Sequence, residues 1–240
     1  MIGIILAAGD GTRLKKSLGE DRCKVMEKVN NIRLIEFALD NLINLNVSDV
    51  FVVVGKDAEM IKNTIGKDYK GLNINYARQA EQIGLINAMI QALKVAEADD
   101  VILQLADEIF VGFRADDIRK IIDAESYDYY CGITCEEDPQ KIKANYSVEI
   151  DENMVIEKCT EKPKHITNNL KGTGFCVFRK DVIELLKEIY DEKNNTPNEL
   201  CDFMNFLSSN GKRGIAFYVA DREFNINTKT DLTEVIGFLS

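Results

Sequence analysis

Residues 6–14 read Leu6-Ala7-Ala8-Gly9-Asp10-Gly11-Thr12-Arg13-Leu14 and follow directly on the apolar run Ile2–Leu6. A buried strand that delivers into a glycine-bearing, basic loop is what a phosphate-binding turn needs. Gly9 and Gly11 can take positive φ and carry no Cβ to keep a ligand off the backbone. The loop N–H groups can converge on anionic oxygens, and Arg13 can pair with them through two parallel hydrogen bonds. Two common nucleotide loops are absent, since the segment contains neither G-x-G-x-x-G nor G-x-x-x-x-G-K-[ST]. By itself a pair of glycines serves an ordinary strand–turn connection equally well.

Other chemistries are restricted by what the chain lacks. His165 is the only histidine, so histidine-based triads and multi-histidine metal sites are excluded. Of the six cysteines only Cys131 and Cys135 are close in sequence, and that spacing without a nearby histidine is a poor zinc pattern. Reduced, mostly buried thiols in a cytoplasmic protein are the expectation. The net charge of −10 argues against nucleic acid as a partner. It leaves room for a small anionic substrate, because a few local cations can dominate a cleft. No apolar run reaches membrane-spanning length, and no signal peptide is read at the start.

The elements that would position the loop follow a clear rhythm. Strands are expected at Ile2–Leu6, Val50–Val54, Leu72–Tyr76 and Val101–Leu105, with helices over 32–45, 58–65 and 83–96 between them. Alternation of this kind predicts a mostly parallel sheet with helices on both faces. Ligands of such sheets bind at the carboxyl ends of the strands, where the first loop and Asp107 both fall. The second half changes character. Strands are expected at 128–134, 145–150, 155–159, 174–178 and 215–219, with a hairpin turn at Asp151-Glu152-Asn153 and helices over 180–190, 198–209 and 229–239. The economical reading is a single α/β domain over 1–240 with a small β-rich appendage. The change of character divides it into halves 1–110 and 111–240.

The string Leu6-Ala7-Ala8-Gly9-x-Gly11-Thr12-Arg13-Leu14 resembles the signature of the sugar-1-phosphate nucleotidyltransferases, and the resemblance extends over nearly the whole chain. It implies a Rossmann-like fold of the GT-A kind. It also implies that Lys24, in Arg22-Cys23-Lys24-Val25-Met26, touches the triphosphate or the sugar phosphate, although Cys23 stands where the family has proline. Arg78-Gln79-Ala80-Glu81-Gln82-Ile83-Gly84 resembles the family's base-recognition segment. There the amide of Gln79 would offer a donor and an acceptor to a pyrimidine edge, and Gly84 would let the base approach the backbone. The family's metal-binding aspartate aligns with Asp107. The second ligand aligns with Asn225 or Asn227, of which the Ile-Asn-Thr string favours Asn227. Thr160-Glu161-Lys162-Pro163 resembles a motif whose glutamate binds sugar hydroxyls and whose lysine binds the sugar phosphate, and Gly172-Thr173-Gly174-Phe175, with Gly174 foremost, would line the acceptor pocket. Ser147 stands where the family has a glycine against the sugar, which makes the acceptor's identity the least constrained feature.

The resemblance therefore implies transfer of a nucleotidyl group from a nucleoside triphosphate, UTP or dTTP, to a sugar 1-phosphate with Mg²⁺ as cofactor. Arg13, Lys24 and Lys162 would be the catalytic cations. The partners implied are these two substrates, with neither nucleic acid nor membrane among them and self-association into a homo-oligomer left open. Two rivals remain. One is a cytidylyltransferase for a non-sugar phosphate, suggested by Ser147 and the Asn-Thr string. The other is an inactive nucleotide-binding regulatory module, suggested by Ala106 and the neutral Asn227. A dinucleotide oxidoreductase is disfavoured by the missing G-x-G-x-x-G and the missing acidic residue after the second strand.

Overall fold

The computed structural model describes residues 1–97, 99–124, 126–190 and 197–240. At its centre Ile2–Ala7 pairs in parallel with Asp49–Val54 on one side and Val101–Leu105 on the other, and Leu72–Arg78 extends the parallel set beyond Asp49–Val54. Strand order thus reverses between Ile2–Ala7 and Val101–Leu105, which opens a crevice at their carboxyl ends. Both faces of the first strand are covered: Ile4 and Leu6 belong to one core, Ile5 and Ala7 to the other. Burial on both faces is why these strands read as continuous apolar runs instead of alternating ones. Helices Leu85–Leu93, Lys180–Ile189 and Leu200–Ser209 supply the first core, and Leu34–Asn44, Ala58–Ile65 and Ala115–Asp123 the second.

Beyond Val101–Leu105 the sheet becomes mixed. Leu170–Phe178 runs antiparallel to it through 176–178 and also pairs with Tyr129–Cys135, which in turn pairs in parallel with Gly214–Tyr218. The hairpin Tyr146–Ile150 and Ile156–Glu161 joins where Ser147 lies opposite Lys171. The expected β-rich appendage is therefore the far edge of one sheet, ten-stranded among the described residues. Five of the six cysteines are buried and all are free thiols, while Cys135 is exposed. Among the described residues no helix is long and apolar enough to cross a membrane.

Local features depart from the sequence reading, the unexpected helices Thr12–Leu18 and Pro139–Lys143 among them. The helix expected from Ile32 begins at Leu34, because Lys28–Val29 and Ile32–Arg33 form a small hairpin. Its turn is Asn30-Asn31, both at positive φ (48° and 70°), a conformation that asparagine tolerates and that matches strand twist. Helix Ala115–Asp123 was not anticipated, since only Ile118 and Ile122 of its nine residues are buried and its apolar signal is sparse. A short ladder, Glu108–Val111 against Arg222–Asn225, was not anticipated either, and it proves decisive for the site.

The glycine at 172 is fixed by packing. A Cβ there would lie 1.9 Å from the ring of Tyr146. That ring is buried, and its hydroxyl donates to the Thr173 carbonyl at 2.6 Å and touches the Cys131 Sγ at 3.3 Å. Gly172→Ala is expected to destabilise the fold by about 1–3 kcal/mol, the usual cost of overpacking, read as a lower midpoint in urea at unchanged slope.

Candidate active site

Two cavities meet at the crevice. The larger, about 380 Å³, is lined by Leu6, Ala7, Ala8, Gly9, Gly11, Thr12, Arg13, Lys24, Gln79, Gly84, Asp107 and Asn227, together with Gln82 and Glu199. The smaller, about 190 Å³, is lined by Glu161, Lys162 and Gly174, with Glu108, Asn145, Tyr146, Gly172 and Asn225 beside them. Arg13, Leu85, Leu105, Asp107, Glu199 and Asn227 line both, so the cavities share a wall at Asp107.

Sequence reasoning named every one of these positions except Gln82, Glu199, Glu108, Asn145, Tyr146 and the two leucines as lining residues. One named residue is placed elsewhere. Ser147 is buried and lines neither cavity, whereas Tyr146 does. Side chains alternate along a strand, so when Tyr146 faces the cavity its neighbour must face away. Glu199 carried no motif. It stands just before the helix Leu200–Ser209 and reaches both cavities, and burial with Glu161 nearby pushes its carboxyl above the usual range.

The shared wall is held by charge. The Lys24 Nζ donates to an Asp107 carboxylate oxygen and, at 3.0 Å, to the Asn227 Oδ1. Arg13 donates to that same Oδ1 at 2.9 Å. Asn227 is oriented from behind: its Nδ2 donates to the Asn225 Oδ1 at 2.7 Å, and the Asn225 Nδ2 donates to the Asn145 Oδ1 at 3.1 Å. The oxygen of Asn227 thus aims into the crevice while that of Asn225 is spent within the protein. Backbone geometry enforces this, because Asn225 lies opposite Glu108 in the short ladder and the Ile226 N–H donates to the Asp107 carbonyl at 2.9 Å. Lys24 is reached across Gly11, where a Cβ would lie 2.7 Å from the Lys24 Cβ. Cys23 sits at φ −72°, the value proline imposes, so the departure from the family's proline leaves the backbone before Lys24 in the same form.

Asp107 and Asn227 offer one carboxylate and one amide oxygen, and both already converge on a cation, the Lys24 ammonium. That hard-oxygen pair fits Mg²⁺, which needs only one or two protein ligands when phosphates complete its shell. Among the described residues no three His, Cys, Asp or Glu side chains cluster as an ion cage, so the pair would depend on nucleotide phosphates for the rest.

The base end differs from the sequence expectation in one respect. The Gln79 Nε2 donates to the Gly84 carbonyl at 3.1 Å and to the Asn87 Oδ1 at 2.8 Å, so its donors are spent and only its oxygen remains to meet a ligand. Gly84 stands at φ 111°, and a Cβ there would lie 2.5 Å from the Asn198 carbonyl oxygen, which accepts from the Ile86 N–H. The backbone alone thus requires a glycine at this position. Gln82 ties this segment to the first loop through the Ala8 carbonyl at 2.7 Å.

At the acceptor end Lys162 occupies the left-handed region (φ 43°), its N–H donating to the Asn145 carbonyl at 2.7 Å and its Nζ pairing with Glu161 at 3.0 Å. A non-glycine residue held there is uncommon and collects at functional sites. Behind the cavity lies a buried Lys171–Glu223 pair, and the Glu108 carboxylate accepts from the Gly174 N–H. Burial, then Glu223 and Asp107, hold the Glu108 carboxyl well above the usual carboxylate range.

The chain belongs to the nucleotidyl transferase family, whose model matches residues 2–223. It is 28% identical over 88% of its length to the UTP–glucose-1-phosphate uridylyltransferase AglF of Haloferax volcanii, covering 85% of that protein. It is 27% identical over 79% of its length to a glucose-1-phosphate thymidylyltransferase of Streptomyces antibioticus, of which it spans only about half (52%). The inositol-1-phosphate CTP transferase of T. maritima shares the fold at a TM-score of 0.80 and 20% identity, over 99% of this chain and 94% of that one. Proteins named for three different pyrimidine nucleotides are thus among those the chain resembles.

Lys24→Met is expected to raise affinity for Mn²⁺ without nucleotide by roughly tenfold, since a charged hydrogen-bonded partner worth about 1.5 kcal/mol no longer competes for Asp107. Calorimetric titration reads this directly. Unchanged affinity would mean that the ammonium does not compete for the cation position.

Proposed function

We propose that this protein transfers a nucleotidyl group from UTP or dTTP to a sugar 1-phosphate and releases pyrophosphate. The observation that carries the reading is the shared wall. A phosphate loop opens on one side of Asp107 and Asn227, and the Glu161–Lys162 pair opens on the other. Two phosphorylated substrates placed in adjoining cavities would meet there. The residues 1–110 then serve the nucleotide and 111–240 the acceptor, with Asn227 and Glu199 reaching back across the wall.

An acceptor phosphate oxygen attacks the α-phosphorus in line. A new P–O bond forms as the bond to the β-phosphate oxygen breaks, and pyrophosphate leaves with the electron pair. The nucleophile is already anionic, so no general base is needed; His165 is exposed and lines neither cavity. Arg13 and Lys24 hold the triphosphate, Lys162 orients the acceptor phosphate, Glu161 takes sugar hydroxyls, and the Gly174 backbone forms part of the acceptor wall. Mg²⁺, held by Asp107 and by Asn227 in preference to Asn225, would neutralise charge on the phosphates. Catalysis comes from alignment and charge stabilisation. Ser147 drops out of the acceptor set because of its placement, and one motive for a non-sugar acceptor goes with it.

A matrix of UTP, dTTP and CTP against sugar 1-phosphates, read as pyrophosphate release, tests the reaction. Asp107→Ala and Lys162→Ala are each expected to lower turnover by about 10²-fold or more, the scale of losing one transition-state charge contact. Near wild-type turnover in both would overturn these roles.

A further inference from the structure

Gln79 does not stand alone. It is nine-tenths buried, and its Nε2 carries two hydrogens, one given to the Gly84 carbonyl at 3.1 Å and one to the Asn87 Oδ1 at 2.8 Å. Asn87, equally buried on the helix Leu85–Leu93, gives its own Nδ2 to the Tyr190 hydroxyl. The direction of this chain is set by one group. A backbone carbonyl can only accept, so Gly84 fixes which end of the Gln79 amide is nitrogen. Asn87 must then present oxygen to Gln79, and its nitrogen must turn to Tyr190. Rotating the Gln79 amide by 180° would set its oxygen against two acceptors at once, leaving buried groups unpaired.

We propose that Asn87, anchored by Tyr190, is the positioning residue that sets nucleobase choice. It holds Gln79 with the carbonyl oxygen alone turned to the nucleotide. Uracil and thymine carry a hydrogen on N3, which that oxygen accepts. Cytosine carries a lone pair on N3, so the same contact opposes two acceptors. The site therefore selects pyrimidines bearing an N3–H, through two residues that touch neither the phosphates nor the reacting atoms. This rests on the reading of Gln79 as the residue that meets the base.

The test is direct binding of UTP and CTP to the intact protein with Mg²⁺, by calorimetry, which needs no knowledge of the acceptor. The wild type is expected to bind UTP at least about tenfold tighter than CTP, one hydrogen bond exchanged for a repulsion. Asn87→Leu leaves the 3.1 Å bond to the Gly84 carbonyl as the amide's only anchor and removes one of the two acceptors that oppose its rotation, and it is expected to bring the two affinities within about threefold of each other, a loss of roughly half a decade or more. Asn87→Asp is expected to restore the preference, since a carboxylate accepts from Gln79 while the Tyr190 hydroxyl donates to its other oxygen. Tyr190→Phe is expected to weaken the preference part of the way.

Rescue by aspartate separates positioning from a general packing role, which would not distinguish the two nucleotides. A preference unchanged in both Asn87→Leu and Tyr190→Phe, but lost in Gln79→Ala, overturns the positioning role and leaves Gln79 as base reader. A preference unchanged in Gln79→Ala overturns the base-reader reading, and the positioning role with it. A wild type that prefers CTP overturns the proposal outright.

Discussion

A two-stranded ladder of eight residues decides where chemistry can occur in this protein. Glu108–Val111 leaves the end of a central parallel strand, and Arg222–Asn225 returns to pair with it from the far end of the chain. The ladder's last rung sets Asn225 opposite Glu108, and the next N–H, that of Ile226, bonds the Asp107 carbonyl. Asn227 is thereby delivered beside Asp107. Without that pairing the site has one carboxylate and no partner, and the two cavities have no common wall. The rest of the fold serves to hold the ladder at the strand-order switch, where the crevice already exists.

Around that wall the charges are arranged to be exchanged. Lys24 and Arg13 both lean on the Asn227 oxygen, and Lys24 also pairs with Asp107. On the proposed function, a triphosphate entering the crevice would offer these cations better partners than a neutral amide and would free Asp107 and Asn227. The pre-formed contacts therefore keep the side chains close to their working positions at little reorganisation cost, which is how preorganised electrostatics lowers a barrier. Deeper in, the Lys171 ammonium balances the buried Glu223 carboxylate behind the smaller cavity. Glu108 serves as the acceptor that fixes the Gly174 backbone on the cavity wall.

The base end shows how far residue type can be read without neighbours. Glutamine supplies both a donor and an acceptor, so the sequence permits either pyrimidine pattern at Gln79. The fold removes the donor by giving it to Gly84 and Asn87. No motif marks Asn87 or Tyr190, because they belong to a helix face and a helix end and read as ordinary core and boundary residues. Glu199 was hidden for a similar reason: its importance comes from standing where the Asn198 segment crosses Gly84.

The amino-acid sequence by itself determined the parallel half of the sheet, the first loop, and most of the side chains that line the larger cavity. Burial on both faces leaves an apolar run, and glycine at a turn or close approach leaves a fixed letter, so both are written locally. The start of the helix Leu34–Asn44 was also within reach, since Asn30-Asn31 is a turn signal between Lys28-Val29 and Ile32-Arg33. Only the tertiary structure decided that Ser147 faces away while Tyr146 faces in, that the oxygen of Asn227 and not of Asn225 enters the crevice, and that Gln79 shows the ligand an acceptor alone. Each of these is an orientation. Orientation depends on strand phase and on hydrogen bonds between residues far apart in the chain, and local sequence carries no record of those partners.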